Sequence, residues 1–156
     1  MNHPIALSSV SPSEAAVDPL YRFVNGLDAN NRELLESSMV EGKDTAFVIL
    51  GIRSIEGTDA IKEYIYGKVM PLHTTHFITN VRVDLKDGAD MAYVTATALA
   101  YHYKPEDAFL PERKAYATAG LYALDVVKDS STGLWKIKKW TCKLNWTEGD
   151  RSVMMG

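Results

Sequence analysis

Beyond Thr74 the chain reads as four long runs, residues 76–86, 91–104, 115–127 and 134–146, in which apolar and polar side chains alternate. A period of two belongs to strands that bury one face and expose the other. Asp87-Gly88, a segment carrying Pro105 and Pro111, and Ser131-Thr132-Gly133 separate the runs, and all three are turn chemistry. Four strands joined by short reversals make an antiparallel meander. A sheet of that size needs something to cover its apolar side.

The residues before Thr74 supply the cover. Asp18-Pro19 reads as an N-cap followed by a proline at the first helical position, with room for one turn before it from Ser13; Leu20, Phe23, Val24 and Leu27 then recur at helical spacing. Asn30 with Glu33 gives a capping-box pattern ahead of Leu34, Leu35 and Met39, and Gly42 is a natural stop. Residues 45–52 are β-rich. Thr58 can cap a third helix carrying Ile61, Tyr64, Ile65 and Val69, which Pro71 ends.

In the last run Trp135 and Ile137 share one phase while Trp140, Cys142, Leu144 and Trp146 share the other, so a β-bulge at Lys138–Lys139 is expected to bend the sheet. Helices first and a bent sheet afterwards predict an α+β domain whose sheet curls around its helices and leaves a pocket.

At 156 residues the chain is one domain, and 46% hydrophobic with 24% charged residues is a mix that packs a core. Residues 13–149 are assigned to that domain, residues 1–12 to a flexible N-terminal arm and residues 150–156 to a C-terminal tail. The net charge of −3 comes from interspersed signs, with no basic cluster denser than Lys138–Lys139, so neither nucleic acid nor an anionic membrane is expected as a partner. Cys142 is the only cysteine, and the first 14 residues have neither the basic start nor the apolar core of a signal peptide. A reducing, cytoplasmic setting is the expectation.

Few residue types here can carry chemistry. Asp28 lies on the stripe Val17, Tyr21, Val24, Asp28, at the edge of an apolar helix face, where a carboxylate needs a partner. It could equally cap the next helix, and periodicity leaves both readings open. His102 shares its strand face with Val94, Ala96, Ala98 and Ala100, small side chains that leave space, so that face looks like a cavity wall; a hydrogen-bonded core histidine is the competing reading. Strict alternation groups His76 with Ile78, Asn80, Arg82 and Asp84, a polar face, so His76 points inward only with a bulge near Asn80 or burial on both faces. His73 and His76 are spaced to lie on opposite faces of a strand, and no cysteine or acidic triad completes a metal site. With no phosphate loop and no nucleophile elbow, noncovalent acid–base work remains, and no cofactor or metal is expected.

Three local matches now fall in order over residues 14–150. These are Tyr21-Arg-Phe-Val-Asn-Gly-Leu-Asp28-Ala-Asn, Thr75-His76-Phe77-Ile78, and Trp135-Lys-Ile followed by Trp146. Together they resemble the SnoaL-like branch of the nuclear transport factor 2-like superfamily, and within it the scytalone dehydratases. The resemblance implies a cone-shaped barrel, with N-terminal helices packed in a strongly bent antiparallel or mixed sheet around a pocket. It also implies catalytic roles for Asp28, His76 and His102: His76 as base, Asp28 on its other ring nitrogen, and His102 donating to the substrate or the leaving hydroxyl. Phe23, Leu27, Phe47, Tyr64, Ala100, Thr118, Gly120, Trp140, Leu144 and Met155 are the implied substrate-binding positions, with Met155 on a tail that closes the pocket.

The sequence departs from that family at Leu27 and Phe47, where tyrosines hold a water on the substrate carbonyl, and at Thr118 and Gly120, where a serine and an asparagine stand. Tyr64, Tyr101 and Tyr116 are candidate replacement donors. The expected function is a cofactor-free dehydratase, isomerase or cyclase acting on a small polyketide- or terpenoid-like intermediate of secondary metabolism. The alternatives are a non-catalytic small-molecule-binding module of the same fold and, below it, a purely structural oligomerisation domain. Val81, Val83 and Leu85, read as the outer face of the sheet, lead to the expectation of a homo-oligomer, dimer or trimer.

Overall fold

A computed structural model describes residues 3–155. The elements are α1 (Pro12–Asp28), α2 (Arg32–Ser37), β1 (Ala46–Ile49), β2 (Arg53–Glu56), α3 (Thr58–Lys68), β3 (His73–Asp84), β4 (Met91–Tyr103), β5 (Ala115–Lys128), β6 (Trp135–Gly149) and α4 (Ser152–Met155). The strands form one sheet in the order β2-β1-β6-β5-β4-β3. The long strands run antiparallel, and β1 joins β6 in parallel, so the sheet is mixed and ends unclosed at β2 and β3. α1 lies across its inner face against β3 and β6. Among the described residues no helix is long and apolar enough to cross a membrane.

Several local boundaries differ from the sequence reading. α1 starts at Pro12, not Pro19, because Ser11 and Glu14 form a capping box that outcompetes the Asp18-Pro19 signal. Pro19 sits buried inside the helix, and Asp18 pairs with Arg22 at 2.7 Å instead of capping. The second cap is Asn31, whose Oδ1 accepts from the Leu34 backbone N–H; Asn30 takes the left-handed turn before it, at φ 50°. Residues 45–52 hold the first strand of a hairpin, which turns at Leu50-Gly51 into β2. Gly57 precedes α3, and the buried Thr58 hydroxyl donates to Val40 O at 2.7 Å.

Arg22, 3% exposed, fastens the layers. Its guanidinium donates to Ser37 O and Oγ on α2 and to Trp135 O on β6, with Asp18 balancing its charge.

Three bulges decide what faces inward. Between Thr79 and Arg82 the register of β3 against β4 shifts by one, with Asn80 at φ 52°. Before the shift Thr74, His76 and Ile78 share a face with the buried His102, Ala100 and Ala98; after it Val81 and Val83 take over that face. Val81, Val83 and Leu85 therefore pack on the core. The outer-face reading of these three residues is corrected, since strict alternation fails at Asn80. The bulge expected in the last strand occurs opposite Asp125 and Val126, at Lys138. A second, between Ala119 and Gly120, skips Asn145 and turns Trp146 out of the phase of Leu144, leaving it 50% exposed. The outer face carries instead a cross-strand row of Phe77, Leu99, Ala119 and Trp146.

Candidate active site

Asp28 is the last residue of α1, and the helix sets its carboxylate over the start of β3. Its Oδ1 accepts from the Thr74 hydroxyl at 2.7 Å and from His76 Nδ1 at 2.7 Å; its Oδ2 accepts the His76 backbone N–H at 2.8 Å. A carboxylate can only accept, so Nδ1 carries the hydrogen and Nε2 of a neutral His76 keeps a lone pair. Burial works to raise the Asp28 pKa, but the bonds from the His76 ring and backbone, with Thr74, outweigh it and hold the carboxyl below its usual range.

His102 stands opposite Thr74 on β4, 5% exposed, its ring edge-on to that of His76 with centroids 5.9 Å apart. Its Nδ1 meets Tyr116 O at 3.0 Å, and since a carbonyl accepts, that nitrogen too bears the hydrogen. Burial drives the His102 pKa below the usual imidazole value, the nearby His76 adds to this, and the Tyr116 bond only partly opposes it. A neutral His102 with Nδ1 committed offers an acceptor at Nε2, whereas the family resemblance gave it a donor's role.

Both imidazoles line a cavity of about 230 Å³, walled otherwise by mostly apolar side chains. An apolar cavity of about 150 Å³ holds benzene, so this one has room for a one- or two-ring organic molecule. Cys142 on its wall is buried, which pushes the thiol up to about 11 and keeps it protonated at neutral pH, an inert state. His73 points the other way from His76, its ring against Phe109. Among the described residues no group of three or more His, Cys, Asp or Glu side chains could hold a metal.

A profile of the SnoaL-like domain matches residues 9–141. The chain belongs to the SnoaL-like domain family. Terrestric acid biosynthesis cluster protein E of Penicillium crustosum is 36% identical over 151 residues, which cover 96% of this chain and 94% of that one. Among solved structures, a protein of Novosphingobium aromaticivorans provisionally named a scytalone dehydratase matches with TM-score 0.73 and 25% identity over 88% of this chain and 87% of that one. A hexachlorocyclohexane dehydrochlorinase, LinA type 2, matches with TM-score 0.70 and 20% identity over 88% of each, a likeness of fold.

Within this SnoaL-like pocket, Phe23, Leu27, Phe47, Tyr64, Thr118, Trp140 and Leu144 stand on the cavity wall with His76 and His102. Ala100 does not: it lies between His76 and Thr118 in the register, 1% exposed, and its longer neighbours reach past it. Gly120 is not on the wall either. A Cβ there would come within 2.1 Å of Lys143 O, so the glycine serves the close approach of β5 to the Asn145 bulge. Met155 is 76% exposed, while Met154 is on the wall and Val153 is buried, because the short helix α4 turns its preceding residues inward. Of the candidate donors, Tyr64 and Tyr116 line the cavity, whereas Tyr101 pairs with Thr75 and Ala117 on the outer face.

The sequence reading missed Tyr122, Arg151 and Met154. Tyr122 was legible in principle, being in phase with Thr118 on one strand; nothing in the sequence marks Arg151. Burial pushes the Tyr122 phenol pKa well up, the Asp28 carboxylate adds to it, and the phenol stays a neutral donor. Trp140, whose ring centroid lies 4.9 Å from that of Tyr122, has its Nε1 buried with no hydrogen-bond partner among the described residues.

Proposed function

We propose that this SnoaL-like chain is a cofactor-free acid–base enzyme, a dehydratase, isomerase or cyclase, working on a small polyketide- or terpenoid-like intermediate of secondary metabolism. The observation that carries the reading is the 2.7 Å bond between Asp28 and His76 Nδ1 beside an apolar cavity. The relative from Penicillium crustosum, by its name a member of a biosynthesis cluster, supports the setting.

In this mechanism His76 Nε2 takes a proton from a carbon next to a carbonyl, and the C–H electron pair moves onto the carbonyl oxygen. Asp28 stabilises the imidazolium so formed. A phenol on the wall, Tyr64, Tyr116 or Tyr122, donates to the developing oxyanion, replacing the donors absent at Leu27 and Phe47. The oxyanion then collapses. Either the imidazolium returns its proton to a leaving hydroxyl, which departs as water, or it reprotonates another carbon and shifts the double bond. His102 accepts from a substrate hydroxyl and orients it. Met154 and the C-terminal tail close the pocket against water.

The test is to incubate chelator-treated protein, without added cofactor, with a panel of small β-hydroxy ketones and to follow loss of water or double-bond migration by mass spectrometry and NMR. Wild-type turnover that disappears in His76→Ala supports the reading. Saturable binding with no conversion of any member favours the non-catalytic binding module.

The same proposal includes a homo-oligomer, dimer or trimer, now resting on the Phe77, Leu99, Ala119 and Trp146 row, where Phe77 is 51% and Trp146 50% exposed. Light scattering that finds a monomer at micromolar concentration would remove it.

A further inference from the structure

The residues that line the cavity include one arginine, the solvent-exposed Arg151, and no Asp or Glu. Asp28 stands behind His76 and spends both carboxylate oxygens on Thr74 and His76. Arg151 occupies the turn between β6 and α4, and that turn is anchored. Asp150 N donates to Ala115 O at 2.8 Å, Val153 N to Asp150 O at 3.2 Å, and Val153 is 3% exposed.

The neighbouring carboxylate does not neutralise it. Asp150 Oδ1 accepts from Ser152 N at 2.9 Å and its Oδ2 faces Lys114 Nζ at 3.8 Å. Among the described residues the Arg151 guanidinium has neither an ion pair nor a hydrogen bond. Lys114 and Lys104 lie close enough to act on the Asp150 carboxyl, so that carboxylate faces two lysines. A guanidinium is a planar fork of donors matched to two oxygens that share one negative charge. An apolar cavity with one exposed guanidinium among its lining residues fits a mostly apolar ligand that bears one such group at its solvent side.

We infer that the molecule taken by this pocket carries a two-oxygen anion, a carboxylate or the enolate of an acidic 1,3-dicarbonyl, and that Arg151 is the residue that selects it. The inference rests on the reading of this cavity as the substrate site, and it names the substrate's class. The anion docks on Arg151 while the apolar body fills the space among Phe23, Leu27, Tyr122 and Trp140 beside the two histidines. The docking is noncovalent, so the acid–base steps at His76 are unchanged.

The experiment measures dissociation constants on the full chain for matched probes: naphthoate against naphthamide for the carboxylate, and dimedone against its methyl enol ether for the acidic dicarbonyl. A charge-assisted bond predicts that the anion of at least one pair binds wild type about ten-fold more tightly than its neutral partner. The pair that shows the preference tells which anion is meant. Arg151→Gln brings the ratio to about one, Arg151→Lys keeps part of it, and added salt weakens the anion but not the neutral probe. Asp28→Asn does not lower the ratio, because Asp28 is itself a carboxylate and does not hold the anion. Equal or weaker binding of both anions by wild type overturns the inference, as does a preference that survives Arg151→Gln or disappears in Lys114→Gln instead. Loss of the catalytic reading, with His76→Ala still turning over, leaves the anion preference in place, so the two failures are told apart.

Discussion

The carboxylate of Asp28 holds His76 at two points, with Oδ2 2.8 Å from the backbone nitrogen and Oδ1 2.7 Å from Nδ1. One bond fixes where β3 begins and the other fixes the ring, so the end of a helix and a strand become one unit. In the proposed mechanism Asp28→Asn and His76→Ala each lower turnover by about 10²–10⁴-fold. The double variant is little worse than either single one, because the residues act together. Steady-state kinetics on the four proteins check this; losses that multiply would mean two independent roles.

Acid should weaken the fold in a traceable way. His102 has a folded pKa below its ordinary 6.5, with burial as the main cause, so on acidification the unfolded chain binds the proton first. Its contribution is complete above that ordinary value and is lost as the pH falls through the lower folded value. Asp28 has the same sign further down, its contribution present above the ordinary 3.8 and lost below it. Urea midpoints taken between about pH 8 and pH 5 should therefore fall on the acid side, and His102→Gln should flatten the part of the fall that starts near the ordinary imidazole value. An identical profile in the variant would contradict the assignment.

Gly120→Ala separates a structural glycine from a binding one. The new methyl would stand 2.1 Å from Lys143 O, which forces β5 and β6 apart. The expected cost is about 2 kcal/mol, or a Tm about 4–8 °C lower by calorimetry. Ligand affinity measured well below that Tm should change little, since Gly120 is not on the cavity wall.

Removing residues 150–156 takes away the buried Val153, the wall residue Met154 and Arg151. Burial of one valine is worth about 2 kcal/mol, so a Tm about 5 °C lower is expected. Turnover should fall more than about ten-fold, because water enters the pocket. A truncated chain with full turnover would make the tail an ordinary end.

The sheet and its helical cover were legible because they rest on periodicity, which survives in any register. The phase change at Lys138 was legible for the same reason: two tryptophans on one strand, Trp135 and Trp140, cannot share a face at odd spacing. The bulge at Asn145 was not, since its skipped residue leaves no compositional mark; the one at Asn80 was legible only as a condition for His76 to point inward, with burial on both faces as the alternative, and its reversal of the faces of Val81 and Val83 was not foreseen. At the site, Asp28, His76 and His102 were named from the family resemblance; alternation alone left His76 on a polar face. The tautomers of the two histidines were out of reach, because they follow from which atoms accept, Asp28 Oδ1 and Tyr116 O. Arg151 was out of reach because a turn residue's direction depends on how the tail docks.

The central claim is that His76, oriented by Asp28, removes a proton from a carbon next to a carbonyl. Hydrogen–deuterium exchange at the α-carbon of a small cyclic ketone in D₂O, followed by NMR, measures that step without knowledge of the natural product. Wild-type protein should accelerate the exchange in the presence of a chelator, and His76→Ala should lower the accelerated rate by about 10²–10⁴-fold while the ketone still binds. Exchange that proceeds as fast in His76→Ala as in wild type would contradict the account.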